Sequence, residues 1–116
     1  DASPNNSGVV DMRRLVRESL RMRPSRIAVG EVRGAEALDL LLAFNSGIPG
    51  YCTIHANSAE HALKKLASLP MLAGSNISSK FASSMAVSSI NLVAHCERRS
   101  SGDRKVIELR EVSHGF

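Results

Sequence analysis

Glu31 and Arg33 are the residues of this sequence whose types and spacing most favour chemistry. They follow a short run of apolar, mostly branched side chains, residues 27–29, and Gly30 ends that run. A buried strand whose C-terminal end carries charged residues is a common way for an α/β sheet to build a binding site. The carboxylate of Glu31 and the guanidinium of Arg33 therefore predict a site at the end of this strand.

A second segment places an imidazole in an equivalent position. Residues 51–54 predict another strand, which is followed by the polar residues His55 and Asn57. Because the carboxyl ends of strands in an open α/β sheet face one crevice, we expect His55 to lie near Glu31 and Arg33.

Together the three groups suit hydrolysis of a nucleoside triphosphate. Glu31 would polarise an attacking water or hold Mg²⁺ through a water molecule. Arg33 would neutralise developing phosphate charge or orient Glu31, and His55 would contact the γ-phosphate. Spacing alone leaves an alternative open, in which Glu31 and Arg33 form a local ion pair and His55 is a hydrogen-bonded residue without a catalytic role.

The two cysteines do not favour a metal site. Cys52 lies three residues before His55, and Cys96 follows His95 directly, whereas zinc ligands usually come as two regularly spaced pairs. The sequence contains no apolar run of membrane-spanning length, and isolated cysteines then indicate a reducing cytosol.

Composition narrows the class of partner. The 116 residues, 43% of them apolar, suffice for one domain or part of one. Aromatic residues make up only 3%, which argues against a platform that stacks the bases of single-stranded nucleic acid. The net charge of +4 favours an anionic ligand or surface without requiring one.

The elements that must position the site alternate between helices and strands. Periodicity, caps and breakers predict helices at about 11–22, 35–45, 58–70 and 77–89, with Asp11 and Ser58 as expected N-terminal caps of the first and third. Strands are predicted at 26–30 and 51–54, and an antiparallel ribbon is predicted from 90–96 and 105–112 around a turn at 100–103. Residues 1–9 predict a polar linker.

Each predicted helix has an apolar face that we expect to be buried. The expected core residues of the four helices are Met12, Leu15, Val16, Leu20, Met22, Leu38, Leu41, Leu42, Phe44, Ala59, Ala62, Leu63, Leu66, Ile77, Phe81 and Met85. Alternation in the ribbon predicts an apolar face and a solvated outer face, with the apolar residues Val106, Ile107, Leu109 and Val112.

Residues 15–36 resemble the second half of the secretion ATPases, the hexameric motors of type II and type IV secretion, conjugation and pilus assembly. Residues 30–33, Gly-Glu-Val-Arg, resemble that family's atypical Walker B motif, in which glycine replaces the usual aspartate. Residues 52–59, Cys-Thr-Ile-His-Ala-Asn-Ser-Ala, resemble its His box. Residues 69–77 and the C-terminal ribbon resemble the tight-adherence (Flp) pilus branch.

The resemblance implies a fold class and a set of site residues. The fold class is α/β, with residues 10–116 as the C-terminal part of a RecA-like P-loop NTPase domain: mainly parallel sheet, flanking helices and a C-terminal antiparallel ribbon. It implies Glu31, Arg33 and His55 as catalytic residues, and Gly30, Glu31 and His55 as residues that contact ATP. Mg²⁺ would have no direct protein ligand and would be held through Glu31.

The resemblance also implies partners. It indicates a cytoplasmic ring, a hexamer, that docks on an inner-membrane platform protein at the inner face of the cell membrane, with no nucleic acid bound. Arg17 and Arg21 of the first helix would lie near the nucleotide or a subunit boundary. The competing interpretation is a non-catalytic α/β module whose basic first helix binds an acidic partner or nucleic acid.

Two departures from the family pattern affect these expectations. Ile48 stands where many relatives have a histidine, so no role of that histidine is expected here. The 116 residues contain no Walker A loop, the Gly-x-x-x-x-Gly-Lys-Ser/Thr segment that holds the phosphates of the nucleotide in this class. They also contain no Asp-box segment before the first helix. We therefore expect the chain to begin within a larger protein, to hydrolyse ATP negligibly by itself, and to self-associate through exposed sheet edge and apolar surface.

Overall fold

The computed structural model describes residues 11–113, and the predicted linker at 1–9 lies outside them. In chain order the elements are α1 (Met12–Leu20), β1 (Ile27–Val29), α2 (Glu36–Asn45), β2 (Gly50–Cys52), α3 (Ala59–Ser68), a 3₁₀ helix (Leu69–Ala73), α4 (Ser79–Ser89), β3 (Leu92–Arg98) and β4 (Arg104–Glu111). Every predicted helix and strand is present, with ends displaced by at most two residues. Within the described range, none of the helices has the length and apolar character needed to cross a membrane.

The parallel pairing of β1 with β2 organises the part of the fold that carries the site. Its register pairs are Ile27 with Gly50, Ala28 with Tyr51 and Val29 with Cys52. The pairing continues past both strands, because the Val32 N–H donates to the Thr53 carbonyl at 2.9 Å. A Cβ on Gly50 would lie 1.9 Å from the Ile27 carbonyl oxygen, so this approach requires glycine. Both strands therefore end at the same edge.

The second pair, β3 with β4, is antiparallel, as predicted. The chain turns between the two strands with a hydrogen bond from the Gly102 N–H to the Arg99 carbonyl at 2.9 Å, and Gly102 has a positive φ of 92°. The ribbon is tied to α3, because the Glu108 carboxylate accepts the Ala59 N–H at 3.3 Å and Arg110 approaches Glu60 at 3.7 Å.

The core lies between β1 and the helices. Its buried cluster comprises Val16, Ile27, Val29, Val32, Ala37, Leu40, Leu41, Leu66, Leu69, Met85 and Ala86. Of the residues expected there from sequence, those that are buried are Val16, Leu38, Leu41, Ala59, Ala62, Leu66, Met85 and Val112. A further four are partly buried, namely Leu20, Phe44, Leu63 and Ile77.

The prediction of burial was wrong at eight positions, which are Met12, Leu15, Met22, Leu42, Phe81, Val106, Ile107 and Leu109. In α1 Val16 is buried, and Leu20 packs against the core while partly buried. The helix ends at Leu20, and Met22, in the turn that follows, is 81% exposed. In α2 the buried face passes through Leu40 and Leu41, and the next residue is turned about 100° away. The ribbon residues are exposed because nothing in the described chain covers that face of β4.

Helix α1 begins as predicted, with the Asp11 carboxylate accepting the Arg14 N–H at 2.9 Å. It is held against α2 by Asp39, which is buried although it is charged. The Arg13 guanidinium donates to Asp39 Oδ2 at 2.8 Å, and the Arg17 guanidinium donates to Asp39 Oδ1 at 3.1 Å. These charge-assisted bonds make the burial of a carboxylate tolerable.

Replacing Asp39 with alanine should destabilise the protein by about 2 kcal/mol, because a half-buried guanidinium then loses its partner. The measurement is the free energy of unfolding from urea denaturation. Glu18→Ala is the matched control, because Glu18 approaches Arg21 at 3.8 Å on the exposed side of the same helix. The control should change stability by less than about 0.5 kcal/mol. Equal effects of the two substitutions would contradict this account.

Candidate functional site

The C-terminal ends of β1 and β2 bring Glu31, Arg33 and His55 together. Arg33 Nε lies 3.0 Å from Glu31 Oε2, and Arg33 Nη2 donates to Glu31 Oε1 at 3.1 Å, so the ion pair is bidentate. His55 Nε2 lies 3.2 Å from Glu31 Oε2. The carboxylate is thus shared by a guanidinium and an imidazole. The Glu31–Arg33 ion pair, which the sequence allowed as an alternative, is present within this cluster.

Val32 sets the direction of its two charged neighbours. Its side chain is buried in the core, and its N–H bonds to the carbonyl of Thr53. Because alternate residues of an extended chain point to opposite sides, Glu31 and Arg33 face away from the core. The carbonyl of Gly30, the residue before Glu31, accepts a hydrogen bond from the Thr53 hydroxyl. The segments that follow β1 and β2 are therefore hydrogen-bonded to each other next to the site.

The site is open to solvent. The side chains of Arg33 and His55 are 78% and 84% exposed, and that of Glu31 is 27% exposed. Asn57, the other polar residue predicted after the second strand, is also exposed, in the same loop as His55. This arrangement leaves the guanidinium and the imidazole accessible to an anion arriving from outside.

Sequence reasoning missed the part that Glu36 plays. This buried carboxylate, in the first turn of α2, accepts the backbone N–H of Arg33 at 2.8 Å and that of Gly34 at 3.2 Å. An acidic residue in the first turn of a helix interacts favourably with the helix dipole. The structure shows that the Glu36 side chain also folds back and accepts hydrogen bonds from the backbone of the loop that carries Arg33.

Lys65 was missed as well. It lies in α3, and its ammonium donates to the backbone carbonyl of His55 at 3.0 Å. The signal available in the sequence was only a lysine on a helix surface, which is ordinary. Contact with residue 55 depends on how α3 packs beside the preceding loop.

The surrounding cations control the charge of Glu31. Its hydrogen bond with Arg33 lowers the pKa of the Glu31 carboxyl, and the charges of Arg33, His55 and Lys65 act in the same direction against desolvation. The same bond raises the pKa of Arg33. Glu31 is therefore ionised at neutral pH, and it is a weak proton acceptor while Arg33 is bound.

The described residues show no group of three or more His, Cys, Asp or Glu side chains placed to hold a metal ion. Burial raises the pKa of the Cys52 thiol, so Cys52 is a poor thiolate ligand. A divalent ion at this site would thus depend on Glu31 and on ligand atoms from a substrate or water.

The first-helix arginines have partners within the chain. Arg17 binds Asp39, and Arg21 approaches Glu18 on the surface of α1. Their expected position near a nucleotide or a subunit boundary stays a prediction.

The family model described as Type II/IV secretion system protein matches residues 3–114 of this chain. A putative conjugal transfer protein of Mycobacterium tuberculosis is 38% identical over 109 residues, covering 93% of this chain and 30% of the relative. The conjugal transfer protein TrbB of Rhizobium radiobacter is 41% identical over 113 residues, covering 97% and 32%. The chain thus spans about a third of the length of these relatives.

Among solved structures, the VirB11 ATPase from the Brucella suis type IV secretion system, in complex with sulphate, superposes with a TM-score of 0.80. The two are 26% identical, and the match covers 88% of this chain and 32% of that chain. The predicted fold class, a partial α/β domain with a parallel sheet and an antiparallel ribbon, is confirmed. The resemblance to the secretion ATPases is confirmed with it.

Replacing Arg33 with alanine should raise the pKa of Glu31 towards its ordinary value, because the largest cause that lowers it is removed. The stabilisation that the ionised Glu31 contributes is present above its unfolded pKa and is lost as pH falls through the lower, folded pKa. In the variant the folded pKa lies closer to the unfolded one, so this contribution should be smaller and its loss should be complete at a higher pH. The measurement is NMR titration of the Glu31 carboxyl carbon. Arg26→Ala is the control, because Arg26 directly precedes β1 and so lies at the end of the strand opposite to Glu31. An unchanged Glu31 titration would rule out the observed pair in solution.

Proposed function

Because this chain belongs to the type II/IV secretion system protein family, we propose that it is the hydrolytic part of an ATP-driven motor for protein secretion or pilus assembly. The observation that carries the proposal is the Glu31 carboxylate, shared by Arg33 and His55 where two parallel strands end. Strand ends of this kind form the ligand crevice of open α/β sheets. The VirB11 neighbour, solved with sulphate, is an ATPase with the same local fold.

In the proposed reaction, Glu31 orients the water that attacks the terminal phosphate. The carboxylate is a weak base while both of its oxygens contact Arg33. Hydrolysis therefore involves a turn of the exposed Arg33 away from Glu31 and towards the phosphate. That movement would strengthen Glu31 as a proton acceptor and bring a positive charge to the developing negative one. His55 would contact the γ-phosphate from the neighbouring strand end.

The donor set fits ATP with Mg²⁺. An exposed guanidinium, an exposed imidazole and one carboxylate suit a polyanion whose metal is ligated mainly by phosphate oxygens and water. Glu31 would hold such an ion through water. No atom lies within 4 Å of the position that a Cβ on Gly30 would occupy, which leaves room for the nucleotide to approach the backbone closely. When bound, Mg²⁺ would neutralise phosphate charge during transfer.

An unfilled sheet edge supports the view that the motor domain is larger than this chain. β2 pairs with β1, and its residues Tyr51 and Cys52 also line a cavity of about 830 Å³. Residues 92–96 of β3 line the same cavity, although β2 and β3 are not paired with each other. We infer that a strand from the phosphate-holding part of a longer protein lies there, with the predicted Walker A loop at its end.

The finer parts of the assignment follow the family resemblance. They are a hexameric ring, an inner-membrane platform protein as docking partner, and a cytoplasmic location at the inner face of the membrane. The competing role, a basic helix for an acidic partner or nucleic acid, is weakened by the structure. Two arginines of α1, Arg13 and Arg17, already bind the buried Asp39.

In a longer protein that contains this chain and a Walker A loop, Glu31→Gln should keep ATP binding and lower turnover by about a hundredfold or more. The amide keeps the shape of the side chain and loses the charge that orients water. The measurements are steady-state phosphate release and nucleotide binding. Glu111→Gln, at an exposed position of β4, is the control and should retain turnover. Full turnover in Glu31→Gln would refute the role of Glu31.

The 116-residue chain itself should self-associate at high concentration, because an unpaired strand edge recruits further strands. Tyr51→Lys, which places a charge on exposed β2 beside the cavity, should shift the chain towards monomer. Met22→Lys introduces the same charge at another exposed apolar position and should not. The measurement is light scattering over a concentration series. A monomer at every concentration would contradict the prediction.

A further inference from the structure

Lys65 connects α3 to the backbone of the candidate site. Its ammonium donates to the His55 carbonyl oxygen at 3.0 Å, across ten residues of sequence. The contact is made to the backbone of His55, whereas the imidazole of the same residue contacts Glu31. One residue is therefore held at two points, by α3 on one side and by the carboxylate on the other.

Helix geometry explains why residue 65 reaches the loop. Lys65 lies six residues after the start of α3, about 9 Å along the helix axis. Side chains of a helix lean towards its N-terminus, so a long lysine stem runs back towards the segment that precedes the helix. The neighbouring Lys64 is turned about 100° around the axis. It binds Glu60 at 3.1 Å on the helix surface instead.

The loop between β2 and α3 has an anchor at each end. At its start, the Thr53 carbonyl accepts the Val32 N–H, and at its end the Ser58 hydroxyl accepts the His61 N–H at 3.1 Å. The bond from Lys65 falls between these anchors, at the residue that faces Glu31. Because the His55 side chain is 84% exposed, its position depends on the loop backbone more than on surrounding side chains.

We propose that Lys65 is a positioning residue, which fixes the imidazole of His55 beside Glu31 by holding the His55 carbonyl. The catalytic consequence rests on the proposed function, whereas the positioning itself is a property of the free chain. Lys65 also adds positive charge near a site that must accept an anion, and its charge lowers the pKa of Glu31.

The test compares three variants of the 116-residue chain without nucleotide. Lys65→Met keeps the apolar stem and removes the donor, Lys65→Arg keeps a charged donor, and Lys64→Met is the matched control. Amide hydrogen exchange in the loop at 54–58 is the main readout. We expect Lys65→Met to raise exchange there about fivefold, since a charge-assisted hydrogen bond is lost. Lys65→Arg should restore the wild-type rate, and Lys64→Met should leave it unchanged.

A second readout follows the imidazole. The Glu31 carboxylate is faced by Arg33, His55 and Lys65, so loss of the Lys65 charge alone raises the pKa of Glu31. Hence hydrogen exchange and the ¹⁵N shift of His55 Nε2, rather than this pKa, decide the question. Loop exchange and a His55 shift in Lys65→Met equal to those in Lys64→Met would overturn the inference. Thermal midpoints of the three variants should agree, because both lysines are exposed.

Kinetic measurements on the longer protein distinguish the positioning role of Lys65 from the proposed function. There, Lys65→Met should lower kcat about tenfold with little change in the KM for ATP, as expected when a catalytic group is misplaced. If the loop loosens but Glu31→Gln leaves hydrolysis intact, the proposed catalytic role of Glu31 fails and the positioning role of Lys65 stands. If Glu31→Gln abolishes hydrolysis while Lys65→Met leaves loop exchange unchanged, the positioning role fails and the function stands.

Discussion

The parallel pairing of β1 with β2 is the interaction on which the rest of the structure depends. It requires glycine at position 50, because a side chain there would collide with the Ile27 carbonyl. Its continuation to Val32 and Thr53 determines which residues face the core. A slip of one residue would bury Glu31 and Arg33 and expose Val32, at a large cost in solvation energy. The pairing thus selects both the core and the charged edge.

Two buried carboxylates connect that pairing to the helices. Asp39 holds α1 through two guanidinium groups, and Glu36 holds the loop of Arg33 through two backbone N–H groups. Each is buried with charge-assisted hydrogen bonds, which is the condition under which a buried charge is tolerated. These bonds hold α1 and the Arg33 loop in place, whereas the guanidinium and the imidazole that contact Glu31 are exposed to solvent.

The surface around β2, β3 and β4 is less complete. A cavity is lined by residues of both β2 and β3, and β4 is exposed along its whole length. The apolar residues on β4 predicted a buried face, yet the described chain supplies nothing to cover it. A chain that spans about a third of its relatives would leave such surfaces for the remainder of the domain to cover. The proposed hydrolytic groups lie in this part, and the proposed remainder would supply the phosphate-holding loop.

Local signals in the amino-acid sequence sufficed for the order of elements, for the caps at Asp11 and Ser58, and for a charged edge after β1 and β2. Such features depend on a few neighbouring residues, so periodicity and residue type reveal them. Tertiary packing decided which apolar residues are covered, as the exposure of Leu42 and Phe81 shows. It also decided the partners of Asp39 and Lys65, because contacts across ten to twenty-six residues arise only when separate elements meet.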